Sequence, residues 1–450
     1  MNFHEVRYPF GNVAEYLSGY IFKPEALHLA VGLFIILYVI YAIFKTELLT
    51  REKIGLVVLF LWPFTNPAYI YILSVSEFFL IVNFFYLIYE RCKFKTGFVF
   101  VQFVILCTLI LIHFIIINIY FFVFNGESPI LQGDNAGGGL SGDNFFNRFI
   151  VIFKVLLMPF LFLSFSKLDS ILKISIISRV GATVAALVAL VYMVQFIVLI
   201  YGRIPYGTFD SAGFGGFPSF GAISVERGHL AKFMAPFLPF LLIDIYLNKR
   251  YVPIILYSVM MLFNFSASGY VFFTFSLFIT IFLCRKEIFN RKNVKYIAPV
   301  IMFSFLMIFI YLWFFLDTLI FLFDKIYNFV FSGDETGGRT VSLLMQYVNL
   351  YPYGFGYGGS TFRTVYSLPE INMGIYTMFT QISIITFLFY LYLLTCSVIT
   401  IRHSKTVVEK ILCGGVLLMP FVFSADILWF VPTYWAPLIL VSWFQLNREK

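Results

Sequence analysis

Ten long apolar runs set the limits on what this chain can fold into. They lie near 26–44, 69–89, 97–124, 147–166, 174–201, 229–247, 296–316, 376–397, 407–424 and 427–445. Crossing a bilayer as a helix takes about 17–25 predominantly apolar residues, because the hydrocarbon core is about 30 Å thick. Two further stretches are ambiguous: 53–66 is short and ends at Trp62-Pro63, and 251–284 reads as a hairpin turning near Asn264–Gly269. Counting both gives roughly 13 spans, with roughly 12 to 14 open. The expected fold class is an all-α polytopic membrane protein, a single integral domain over 1–450. Composition agrees: 61% of residues are hydrophobic and 12% charged, against about 25% charged in a soluble chain, and mean hydropathy is +0.91.

The formal charge of +8 could suggest a nucleic-acid partner, but its distribution excludes one. Lys and Arg gather in short gaps between apolar runs: Lys45/Arg51/Lys53, Arg91/Lys93/Lys95, Lys249/Arg250, Arg285/Lys286/Arg291/Lys292/Lys295, Arg402/Lys405 and Arg448/Lys450. That is the basic bias of cytoplasmic loops, not a basic tract with interleaved aromatics. Cys92, Cys107, Cys284, Cys396 and Cys413 lie in spans or at cytoplasmic ends, so no disulfide framework is expected. No CxxC pair occurs, and the polar first 25 residues do not read as a cleavable signal.

With the basic loops inside, three polar segments fall on the opposite face: about 125–146, 202–228 and 317–375. The Gly/Asp stretch Gly133–Asn144 superficially resembles a calcium-binding repeat, but those need tandem copies, so it reads as a loop. In the second segment Ser224 is a sensible N-cap for a helix carrying Glu226, Arg227, His229 and Lys232 in its first turns. Donors at a helix start suit a phosphate or diphosphate. The competing reading is a solvated interfacial helix whose charges neutralise one another. In the third segment Arg339 precedes a short amphipathic stretch, Val341–Leu350, in which Leu343, Leu344, Tyr347 and Leu350 recur at helical spacing. Pro352 stops it and a Gly/Tyr-rich loop follows. Arginine suits bidentate contact with phosphate oxygens, and tyrosines offer faces and hydroxyls to sugars, so Tyr353, Tyr357 and Arg363 are candidate glycan contacts. Gly354–Gly359 is not a nucleotide loop, since it follows no strand and lacks a terminal Lys-Ser/Thr. Lys154, about 10 Å inside its run, either lines an outward cavity with Arg227 and Arg339 or snorkels to a head group. Glu77 and Asp244, nearer span ends, say less.

The chain resembles the O-antigen polymerases (Wzy class) and the related O-antigen ligases. The resemblance rests on Gly338-Arg339, the stretch Val341–Leu350 and Pro352-Tyr353-Gly354-Phe355-Gly356, with the following span Tyr376–Phe387 and the earlier Glu226-Arg227-Gly228-His229-Leu230-Ala231. It implies a helical glycosyltransferase resembling the GT-C type, set in a bacterial inner membrane with two large periplasmic loops, 202–228 and 317–375. The implied donor is a glycan on undecaprenyl diphosphate at the periplasmic face. Arg339, Arg227, Lys232 and Lys154 are the diphosphate candidates, and a chain-length regulator is an implied partner. Ligases carry His-Asn after the glycine loop; here only Asn372-Met373 stands there, with Glu370 before it and no histidine between His229 and His403. That favours a polymerase over a ligase. Glycosyl transfer needs a stabilised leaving diphosphate and a base for the acceptor hydroxyl. Glu226 is the first candidate base, then His229 and Glu370; Asp334 and Glu335 read as loop acids. No Asp-x-Asp or His cluster stands on the outer face, so neither a metal nor a cofactor is expected. A lipid-linked glycan flippase is the contender from another class, though no internal repeat is visible.

Overall fold

The computed structural model describes residues 25–62, 69–70, 73–90, 97–124, 145–201, 208–209, 219–222, 227–264, 266–288, 341–354, 374–425, 428–429 and 431–448. These form a helical bundle: α1 (Glu25–Phe44), α2 (Thr50–Phe60), α3 (Val75–Tyr89), α4 (Phe98–Phe124), α5 (Phe145–Ser164), α6 (Ile171–Ile200), α7 (Arg227–Met234), α8 (Leu238–Asn248), α9 (Val252–Phe263), α10 (Ala267–Leu283), α11 (Arg285–Ile288), α12 (Val341–Leu350), α13 (Gly374–Ile382), α14 (Ile385–His403), α15 (Val407–Ala425) and α16 (Pro432–Arg448). Two short antiparallel ladders complete the described elements, pairing β1 (Tyr69–Ile70) with β2 (Leu73–Ser74) and β3 (Thr208–Phe209) with β4 (Ser219–Phe220).

Among the described residues five helices are long and apolar enough to cross a membrane, and five shorter apolar helices accompany them. The chain is an α-helical membrane protein. Several expected spans are broken, each for a local reason. The run 69–89 becomes helical only at Val75. The run 229–247 passes through a 3₁₀ turn, Ala235–Phe237, which contains Pro236 and is followed by Pro239, because proline removes helix hydrogen bonds. The run 376–397 breaks at Ser383, whose φ is 47°. The run 251–284 is indeed a hairpin of α9 and α10, with the Ser266 side chain capping α10 by accepting from Gly269 N–H. The expected span 296–316 lies outside the described residues.

The turns of one end are tied into a connected polar belt. Lys53 Nζ donates to the Phe44 carbonyl at 2.9 Å, and Lys173 meets the buried Glu52 at 3.3 Å. Asn447 donates to the carbonyls of Ser166 and Leu168, and Arg448 Nη1 to Glu409 at 2.6 Å. Lys410 pairs with Glu287. Asn248 bridges Ser175, Arg179 and Asp244. We call this the basic end; α4 and α6 run from it to the far end.

The core is aromatic. Helix α16 is buried almost throughout: Trp435 Nε1 donates to Trp429 O and Trp443 Nε1 to Phe162 O, both at 2.7 Å. Phe103 stacks on Phe162 at 4.6 Å. Such donors are satisfied inside the protein because lipid offers no partner. Peripheral α4 instead exposes Ile105, Ile112, Ile116 and Ile119, the apolar face expected against hydrocarbon.

Candidate functional site

The far end is organised around α12 and the turn that follows it. Leu343 and Tyr347 are buried and pack with Tyr376 of α13, so the amphipathic stretch docks on the bundle. Of the expected stripe, Leu350 is exposed; Tyr351 takes its place, buried, because its N–H bonds back to the Tyr347 carbonyl at 2.8 Å and tightens the last turn. The turn Tyr351–Gly354 is then gripped from three sides. Gly354 N–H bonds to Tyr351 O at 2.9 Å, and Gly354 has φ 77°, with any Cβ only 2.6 Å from the Gln381 carbonyl oxygen. Only glycine fits there. Ser383 Oγ donates to Pro352 O at 3.1 Å. His113 Nε2, from α4, lies 2.8 Å from Tyr353 O. A carbonyl can only accept, so Nε2 carries a proton and donates it. Tyr353 as a residue is 68% exposed.

Helix α7 also opens at the far end. Arg227 is its first residue and His229 its third. Its packing is fixed by Leu230, Ala231 and Met234, all buried, and by Gly269 of α10, where a Cβ would approach Ala231 Cβ to 2.6 Å. Lys232, half-buried, offers its backbone carbonyl to the Tyr434 hydroxyl.

Between the two ends lies an ion pair whose carboxylate is buried and whose amine is half-buried. Lys154 of α5 pairs with Glu77, in the first turn of α3. Beside them is a cavity of about 40 Å³ walled by Trp62, Phe103, Phe389 and Trp435, room for about three waters at about 10–15 Å³ each. At about 1.5 Å per residue, Glu77, Lys154 and Trp435 stand about 18, 15 and 20 Å from the basic ends of their helices. That is the interior of a core about 30 Å thick. Helix α2 is 11 residues long and α3 is 15, about 16 and 22 Å. Both therefore stop short of a full span and meet at the cavity. Ser76 Oγ donates to Val58 O at 2.6 Å, and Thr433 Oγ1 to Leu59 O, satisfying two of the carbonyls that the end of α2 leaves open.

No family model, curated protein or solved structure matches the chain.

Glu226, Arg339, Tyr357, Arg363 and Glu370 lie outside the described residues, and of Arg227 and His229 only the backbone is described. Of the sequence-derived candidates, Tyr353 stands exposed at the far end, Lys232 is half-buried on α7, and the Lys154 charge is met by Glu77. Among the described residues no three His, Cys, Asp or Glu side chains form a metal-binding group. Two residues escaped the sequence reading. Glu77 was discounted as close to a span end, yet it begins a helix deep in the membrane; the pair of short apolar runs interrupted at Pro63 and Pro67 was the available signal. His113, a lone imidazole in a 27-residue apolar helix, was signalled by its cost in lipid.

Proposed function

We propose that the chain is a membrane glycosyltransferase that polymerises lipid-diphosphate-linked oligosaccharide repeat units at the face opposite its basic belt. Short basic turns favour the cytoplasmic side, so that face is the periplasmic one of a bacterial inner membrane. The observation that carries the reading is the anchoring of α12. The helix that follows Gly338-Arg339 docks on α13, and its exit turn is held by α4 and the α13–α14 break. A rigid support of this kind is what a cation needs to hold a leaving diphosphate without reorganising. Arg227, at the start of α7, opens at the same end, and the exposed Tyr353 ring beside the turn offers a face to a sugar. Arg339, Arg227 and Lys232 are the proposed diphosphate contacts, and Tyr353, Tyr357 and Arg363 the glycan contacts. Glu226, His229 and Glu370 are the candidates for the base.

The test is a glycan gel of the host strain with the gene deleted, restored, and restored as Arg339→Ala at matched protein level. Deletion is expected to leave a single repeat unit on the lipid core, and Arg339→Ala to fail to rebuild the ladder. Loss of all surface glycan with polymer accumulating on the carrier lipid would reassign the chain as a ligase. An unchanged ladder in the deletion strain would sink both.

One observation favours a second reading, a lipid-linked glycan transporter. Intramembrane pairs such as Glu77–Lys154 mark substrate and ion pathways in transport proteins. Under that reading, carrier-linked single units accumulate on the inner leaflet after deletion.

A further inference from the structure

We infer that His113 is a positioning residue: its imidazole holds the Tyr351–Gly354 turn so that the Tyr353 ring stands free to stack on a pyranose ring of a lipid-linked glycan. The inference rests on the polymerase reading and adds to it a residue from a distant part of the chain. The contact spans 240 positions of sequence, from the middle of α4 to the turn after α12. His113 is 15 residues from Phe98, about 22 Å along the helix, toward the far end. An imidazole at this height is costly unless it has a partner, and only one of its nitrogens is used. Nδ1 is shut off from solvent and has no hydrogen-bond partner among the described residues, a burial that a Leu or Phe would avoid. The favourable contribution therefore lies at Nε2–H, on the Tyr353 carbonyl.

The effect of that bond is directional. Ser383 Oγ fixes the carbonyl of Pro352 and His113 Nε2 fixes the next one, while Gly354 lies against the Gln381 backbone. Three consecutive residues are held by their backbones, which leaves the Tyr353 side chain as the part of the turn that projects, 68% exposed. An aromatic ring on a fixed backbone presents its face to the C–H side of a sugar with little entropy left to lose.

The two nitrogens can be separated by substitution. Glutamine places an amide donor near the position of Nε2 and so keeps the bond to Tyr353 O; leucine fills the space and removes it. Two readouts are needed on purified full-length protein in detergent. One is hydrogen exchange of the 351–354 backbone. The other is polymerisation of the repeat unit extracted on its carrier lipid from host membranes. For His113→Leu we expect exchange about tenfold faster at the turn, KM up about tenfold and kcat within about twofold, the pattern of lost ground-state binding. His113→Gln should stay within about twofold of wild type on both readouts. Tyr353→Ala should raise KM as His113→Leu does, and the double variant should be no worse than the worse single, because one residue acts through the other. Unchanged exchange in His113→Leu, a glutamine variant as poor as the leucine one, or additive KM losses would each overturn the inference. Failure of the polymerase reading is separately visible, as an Arg339→Ala variant that keeps its ladder.

Discussion

At the basic end the chain turns within a few residues; the turns near 45–49, 165–170 and 404–406 are held by side chains from neighbouring helices, and at 249–251 Arg250 itself reaches the Arg179 carbonyl of α6. At the far end the same helices are joined by long segments rich in Gly, Tyr and Asn, and the part that is described is held from 240 residues away. Both ends use hydrogen bonds to backbone carbonyls, but they use them differently. The basic belt joins many helices through charged groups that water and lipid headgroups can also solvate. The far-end turn is held by one imidazole, one hydroxyl and one glycine. A change at the first should weaken the fold and spare the chemistry; a change at the second should do the reverse.

The largest expected effect tests what joins the two ends. Lys154→Met leaves Glu77 buried without its cation, which costs about 3 kcal/mol when a buried pair loses one member. Thermal unfolding in detergent should show the loss, and Lys154→Met/Glu77→Met should recover most of it. A double variant as unstable as the single would mean that the site needs the charges themselves. Next, Glu409→Gln strikes the belt. The Glu409 carboxylate accepts from Arg448, from the N–H groups of Lys405 and Thr406, and from the Thr406 hydroxyl. Its loss should cost about 2 kcal/mol while leaving ladder length unchanged at matched protein. A shortened ladder would break the division between the ends.

Gly354→Ala is the converse. It forces a side chain into a left-handed backbone, about 1–2 kcal/mol, and against the Gln381 carbonyl. Global stability should fall by at least that, because the Gln381 carbonyl must also give way, and the glycan ladder should be lost at matched protein level. The smallest effect is at Glu287. Its carboxyl is held below the usual carboxylate range by the hydrogen bond from Lys410, against a smaller opposing effect of burial. A depressed folded pKa stabilises fully above the ordinary carboxylate range, and the gain disappears as pH falls through the folded value. Glu287→Gln should therefore lower the unfolding midpoint at neutral pH, by less than about 1 kcal/mol because the pair is partly exposed. In acid the two proteins should converge.

Much of the helical frame was legible because hydropathy and span length report directly on a lipid solvent. The limits of α4 and α15 fall within a residue of the expected runs, and Val341–Leu350 was readable from its stripe. The breaks were not. Ser383 looks like any residue of a span, and it leaves the helix because its hydroxyl meets a carbonyl 31 residues earlier. The Lys154–Glu77 pair was half-legible: Lys154 stood out as a buried charge, but its partner depended on where α3 starts. His113 could be noticed as unusual, while its contact with Tyr353 is a tertiary fact that no local pattern encodes.

The short helices α2 and α3 also bear on biosynthesis. Neither is long enough to be threaded into a bilayer as an independent span, and the Leu59 carbonyl at the end of α2 finds its hydroxyl donor on Thr433. That threonine is made 374 residues later, in the last helix described. Until Thr433 has been made, the end of α2 has an open carbonyl at the depth of the acyl chains. Its final seating therefore waits for α16, and a chain that stops before α16 carries a lesion far from its cut end.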